Sequence, residues 1–204
     1  MKKPLWIFFD MGSTLVDESG AYRKRNLEML EGTGITLEQF LAKCKELNCH
    51  NSDVPAIEYF GLTKPRWPRE AEILFPDAFP TLEALKTKGY HLGIIANQSP
   101  GAEQRLKNWG ILPFFEVVAP SAELGMEKPE PDIFFWALEK AGCRPEDAVM
   151  IGDRLDNDVA PANRLGMLSI RILRGSARAY SPASEEETPD FTVEHLTEIP
   201  SLFE

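Results

Sequence analysis

Asp10 closes an apolar run at 5–9 and is followed at once by the small polar turn of Gly12, Ser13 and Thr14. A carboxylate in that setting can act as nucleophile and metal ligand together. Asn97 and Asp153 end two further apolar runs, and Lys128 lies in the polar stretch 123–131. Two neighbouring carboxylates repel unless a divalent cation lies between them. Asp10 and Asp153 offer hard oxygen ligands of the kind Mg²⁺ takes, and Mg²⁺ keeps waters and accepts a phosphate oxygen of a substrate. Lys128 supplies a point charge for that phosphate and a restraint on the Asp10 carboxylate. Asn97 supplies an amide donor for the same group.

These residues need a scaffold that gathers them. Apolar runs at 5–9, 91–96, 115–118, 148–151 and 168–173 fit strands buried on both faces. Helical spacing fills 81–88, 101–109, 132–141 and 158–165, with Gly89, Gly110, Gly142 and Gly166 as stops. Strands alternating with helices predict βαβ units, hence an α/β fold with a Rossmann-like parallel sheet. Ligands of such sheets sit outside the carboxyl ends of the strands, where Asp10, Asn97 and Asp153 all fall. The stretch 20–75 differs. Apolar spacing at 22–31, 36–48, 54–60 and 66–74 predicts helices only, so it reads as a small all-helical insertion. The expected division is 1–16 with 77–204 as one unit and 17–76 as the other. Residues 174–189, poor in apolar side chains and carrying Glu185, Glu186 and Glu187, predict a mobile loop or linker. An edge strand at 191–193 and a helix at 195–203 are expected to follow.

The chain of 204 residues has a net charge of −10 and is 43% hydrophobic, enough for a sizeable core. That charge, without any basic stripe, excludes nucleic acid as the expected partner. A small anionic substrate remains compatible, because a metal and one lysine invert the field locally. No run is apolar and long enough for a signal peptide or a membrane span. Three sparse cysteines lead to the expectation of a reducing, cytoplasmic setting. Cys44, Cys49 and His50 are read as part of a helical core rather than as a metal site.

With these motifs in hand, the chain resembles the haloacid dehalogenase superfamily of phosphohydrolases over nearly all its length. The family's first motif, Asp-x-Asp-Gly-Thr, aligns with Asp10-Met11-Gly12-Ser13-Thr14, and its second with Ala96-Asn97-Gln98-Ser99. Its lysine is Lys128, and its Gly-Asp-x-x-x-x-Asp motif runs from Gly152-Asp153 to Asp158. The resemblance implies attack by Asp10 on phosphorus to form an aspartyl-phosphate. It implies Mg²⁺ held by Asp10, the Gly12 carbonyl and Asp153, with Asp158 in the metal shell or orienting the lysine. It also implies that the helical insertion is the family's mobile cap.

Two positions depart from that pattern. The family's phosphatases carry a second aspartate, an acid/base, where this chain has Gly12, and a Ser or Thr where it has Ala96. General acid catalysis is worth about 10²–10⁴-fold, or roughly 3–5 kcal/mol of barrier. The expected enzyme is therefore slow, or restricted to good leaving groups. The alternative is a scaffold with little turnover that binds a phosphorylated ligand or a protein partner.

Overall fold

The computed structural model describes residues 5–47, 49 and 52–203. His50 lies outside the described residues. In chain order the elements are β1 (Trp6–Phe9), β2 (Val16–Asp17), α1 (Ser19–Leu30), α2 (Leu37–Glu46), α3 (Val54–Tyr59), β3 (Ile73–Leu74), α4 (Ala78–Thr87) and β4 (His91–Ala96). There follow α5 (Ala102–Asn108), β5 (Val117–Pro120), α6 (Ser121–Leu124), α7 (Pro131–Ala141), β6 (Ala148–Gly152), α8 (Ala160–Leu165), β7 (Leu168–Ile172) and β8 (Phe191–Val193). Short 3₁₀ turns join several of them, and a π turn, Leu155–Val159, leads into α8.

Six strands form one sheet in the order β5-β4-β1-β6-β7-β8, and every neighbouring pair is parallel. The apolar runs are continuous because both faces of the sheet are covered. Ile7, Phe9, Ile94 and Ile151 pack with Leu82 and Leu85 of α4 and Leu106 of α5. Trp6, Phe8, Ile95 and Met150 pack on the other face with Ile133, Phe134 and Ala137 of α7. Strand order reverses at β1: β4 lies on one side of it and β6 on the other. Such a reversal opens a crevice at the carboxyl edge, and Asp10 is the first residue beyond β1 there.

The chain divides into two compact units, Met1–Val16 with Leu74–Glu204, and Asp17–Ile73. The first holds the six-stranded sheet. The second holds α1 to α3 around Met29, Leu30, Phe40, Ala56 and Ile57, with Cys44 and Cys49 packed on that cluster. Thr36 caps α2 with a reciprocal box: its hydroxyl accepts from the Gln39 N–H and the Gln39 side chain accepts from the Thr36 N–H.

Local structure departs from expectation in several places. Residues 66–74 are not a helix: they hold one 3₁₀ turn, Arg69–Ala71, and then β3. Pro65 and Pro68 lack backbone donors and bias the residues before them toward extended backbone. The strand expected at 115–118 is β5, two residues further on. The stretch 195–203 forms a 3₁₀ helix, Leu196–Ser201, with Pro200 inside it. Residues 174–189 hold one 3₁₀ turn, Ser176–Ala179, and make contacts to the sheet unit. The Asn163 amide donates to the Glu186 carbonyl at 2.7 Å and to the Thr188 carbonyl at 2.9 Å. Among the described residues no helix is long and apolar enough to cross a membrane.

Candidate active site

The carboxyl edge of the sheet brings Asp10, Lys128, Asp153 and Asp158 into one buried cluster. Lys128, 3% exposed, donates from Nζ to Asp10 Oδ1 at 2.7 Å and to Asp158 Oδ1 at 2.6 Å. Asp10, Asp153 and Asp158 each present a carboxylate oxygen within 4.8 Å of the others.

Each member is placed by a local device. Asp10 is held where the sheet ends, its N–H bonded to the Ile151 carbonyl at 2.8 Å. The chain then turns sharply: the Met11 carbonyl accepts from the N–H groups of Thr14, Leu15 and Val16, and Ser13 takes a φ of 55°. This backbone network braces the turn. The Thr14 hydroxyl is buried with no partner among the described residues.

Asn97 grips Lys128 at both ends of its amide. Its Nδ2 donates to the Lys128 carbonyl at 2.7 Å, and its Oδ1 accepts from the Lys128 N–H at 2.8 Å. Sequence reasoning aimed this side chain at a phosphate; in the structure both ends of its amide meet the Lys128 backbone. Two groups distant in sequence share that contact, so no local pattern announces it.

Asp158 depends on the π turn and on Gly152. A helix was expected to start at Asp158, but the wider turn precedes α8 and folds the carboxyl back over the end of β6. A Cβ on Gly152 would lie 2.2 Å from Asp158 Cγ, so only glycine permits that approach. Both oxygens of Asp158 are engaged: Oδ1 with Lys128, Oδ2 with the Arg154 N–H at 3.0 Å. Arg154 in turn is clamped by Asp156, with its Nε on Oδ1 at 3.0 Å and Nη2 on Oδ2 at 2.6 Å.

The electrostatics are unbalanced. Burial pushes Asp153 well above the usual carboxylate range, and the charges of Asp158 and Asp10 push it further. Burial also raises Asp158, to about 6, against the pull of Lys128. Burial works to lower Lys128, but Asp10 and Asp158 outweigh it and the ammonium is held. Among the described residues Asp153 has no hydrogen-bonding partner, and no hydrogen bond uses Asp10 Oδ2 or the Gly12 carbonyl. Three hard oxygen donors of this kind, beside an excess of buried negative charge, fit a divalent cation. Gly12 itself is not among the residues with a positive φ. Asp17 belongs to the other unit, where its carboxylate accepts from the Ser19 N–H at 2.8 Å.

Comparison with known proteins now bears on this arrangement. Residues 7–172 match the haloacid dehalogenase-like hydrolase family, from β1 through β7. The chain belongs to the haloacid dehalogenase-like hydrolases. It is 40% identical over 126 residues to a glyceraldehyde 3-phosphate phosphatase of Methanopyrus kandleri, covering 61% of this chain and 54% of that protein. It thus spans about half the length of the first curated relatives it matches. A glyceraldehyde 3-phosphate phosphatase of Pyrococcus furiosus is 30% identical, covering 100% of this chain and 93% of its own. Among solved structures, a phosphatase of the same superfamily from Thermococcus onnurineus superposes with a TM-score of 0.68 at 28% identity, over 96% of each chain.

Proposed function

We propose that this chain is a Mg²⁺-dependent hydrolase of small phosphorylated metabolites, working through an aspartyl-phosphate on Asp10. The observation that carries the reading is the Lys128 ammonium, bonded at once to Asp10 and Asp158. That bond restrains the Asp10 carboxylate, the group that attacks phosphorus. As the new O–P bond forms, the bond from phosphorus to the leaving oxygen breaks. Gly12 offers no proton, so that oxygen departs as an anion or takes its proton from solvent. Water then attacks the aspartyl-phosphate, releasing inorganic phosphate and restoring the Asp10 carboxylate. Lys128 orients the nucleophile and balances its charge, Asp158 orients Lys128, and Asn97 seats the lysine's backbone. Asp10, Asp153 and the Gly12 carbonyl would hold the cation, which when bound supplies Lewis-acid stabilisation of the phosphoryl oxygens.

The absence of an acid at position 12 limits this enzyme to good leaving groups, or makes it slow. The helical unit 17–73 stands where the family inserts its cap and is the part we assign to substrate selection. Its relatives' named substrates place small phosphorylated metabolites first in an activity panel.

The test is hydrolysis of an activated aryl phosphate with and without Mg²⁺, in the wild type and in Asp10→Asn. Turnover that needs both the metal and Asp10, with a loss of about 10³-fold or more in the variant, is expected. No such turnover in folded protein would favour the alternative, a scaffold that binds a phosphorylated ligand or a protein partner without processing it.

A further inference from the structure

Arg171 has no part in the chemistry above, yet it is buried beside it, 4% exposed. It lies in β7 between Ile170 and Ile172, whose side chains join the core on one face of the sheet. Alternation puts Arg171 on the opposite face, in register with Gly152. That is the face over which Asp158 folds, since it is a Cβ on Gly152 that would strike the Asp158 carboxyl. Asp153 is the next residue after Gly152. Arg171 Nη2 donates to the Ala177 carbonyl at 2.7 Å. Its Nε has no partner among the described residues.

The segment held by that bond also closes on the cluster. A Cβ on Gly175 would lie 2.6 Å from Ser13 Oγ and 3.3 Å from Asp153 Oδ2. Burying a guanidinium with an unused donor is costly, and the face around it is otherwise apolar. A carbonyl alone does not offset that cost. A neighbouring excess of negative charge does: three carboxylates gather around a single ammonium, that of Lys128. Burial draws the Arg171 pKa down, and the Asp153 charge opposes that shift.

We propose that Arg171 is the internal counter-charge of the acidic cluster, stabilising it while no divalent cation is bound and weakening the grip on that cation once it binds. This rests on the reading that the cluster takes a divalent cation. The role is electrostatic and positional: Arg171 is not placed against substrate. It gives the site a cation that stays exchangeable, instead of one held permanently by bare carboxylates.

The experiment is thermal unfolding of the full chain, stripped with EDTA and then titrated with MgCl₂. Wild type, Arg171→Gln, Arg171→Lys, Asp153→Asn and the double variant Asp153→Asn/Arg171→Gln are compared. Arg171→Gln should lower the metal-free Tm by about 3–6 °C. It should also lower the half-saturating MgCl₂ concentration by about three- to tenfold. Arg171→Lys, which keeps the charge, should stay near wild type in both. In the Asp153→Asn background the penalty of Arg171→Gln should largely vanish. Equal losses with and without Asp153, or an unchanged MgCl₂ midpoint, would make Arg171 a packing residue and overturn the inference. Should Arg171→Gln fail to fold alone, recovery in the double variant supports the counter-charge and failure to recover rejects it. A wild type that ignores MgCl₂ would instead sink the metal reading, while the metal-free comparison across the two backgrounds still decides Arg171.

Discussion

Two buried cations, one in each unit, show how differently the same kind of charge can be used. In the helical unit Arg25 is 3% exposed. It pairs with Asp53, to which Lys64 also donates at 3.1 Å. The rings of Tyr22 and Trp67 lie 5.1 Å from its guanidinium carbon. One carboxylate there meets two cations, one of which also faces two aromatic rings, so the negative charge is more than answered. In the sheet unit one ammonium, Lys128, meets two carboxylates directly with a third beside them. The cluster in the helical unit leaves Arg25 Nε without a partner among the described residues but carries no excess of negative charge, and it reads as architecture. The unbalanced one is stabilised by a further positive charge, and that need is what makes it a candidate for chemistry.

The comparison can be sharpened most strongly at Gly12. If the acidic cluster lacks only its proton donor, Gly12→Asp should raise turnover of an alkyl phosphate by up to about 10²-fold, measured as kcat/KM. No gain in a folded variant would mean that position 12 does not face the leaving group. A smaller effect is expected in the helical unit. Arg25→Ala removes one partner of a buried pair, but Lys64 still faces Asp53. The expected cost is about 2 kcal/mol, read by urea unfolding, with no dependence on MgCl₂. A MgCl₂-dependent loss would break the contrast between the two clusters.

The smallest effect lies in pH. Asp158 sits at about 6 in the folded protein against an ordinary value of 3.8. A carboxyl raised on folding contributes stability that is present below its unfolded value and lost as pH rises through the folded one. Metal-free protein should therefore gain a few degrees of Tm, on the order of 2–5 °C, between pH 7.5 and pH 5. Saturating MgCl₂ should flatten or reverse that slope. A metal-free Tm that falls steadily with acid would show that the buried carboxyls are already compensated.

The strand runs were legible because β1, β4, β6 and β7 are buried on both faces and carry almost unbroken apolar sequence. Helix α2 was legible from its capping residues, Thr36 and Gln39. The segment 66–74 misled, because spacing alone resembles a helix while Pro65 and Pro68 bias the residues before them toward extended backbone. The stretch 174–189 was read as a loop, and what holds it was not legible. Its composition is that of a loop, but its backbone is held by Asn163, and Arg171 holds the Ala177 carbonyl at its start.

At the site, Asp10, Lys128 and Asp153 could be named from residue type and position in the chain, because a strand's end is written in the run of residues that precedes it. That Asn97 seats a lysine, that a π turn lays Asp158 over Gly152, and that Arg171 stands behind Asp153 could not. Those arrangements join residues from different strands and turns, and only the closed sheet brings them to one edge. Hydrophobic periodicity records which face a residue takes; it carries no information about which charges will share a pocket.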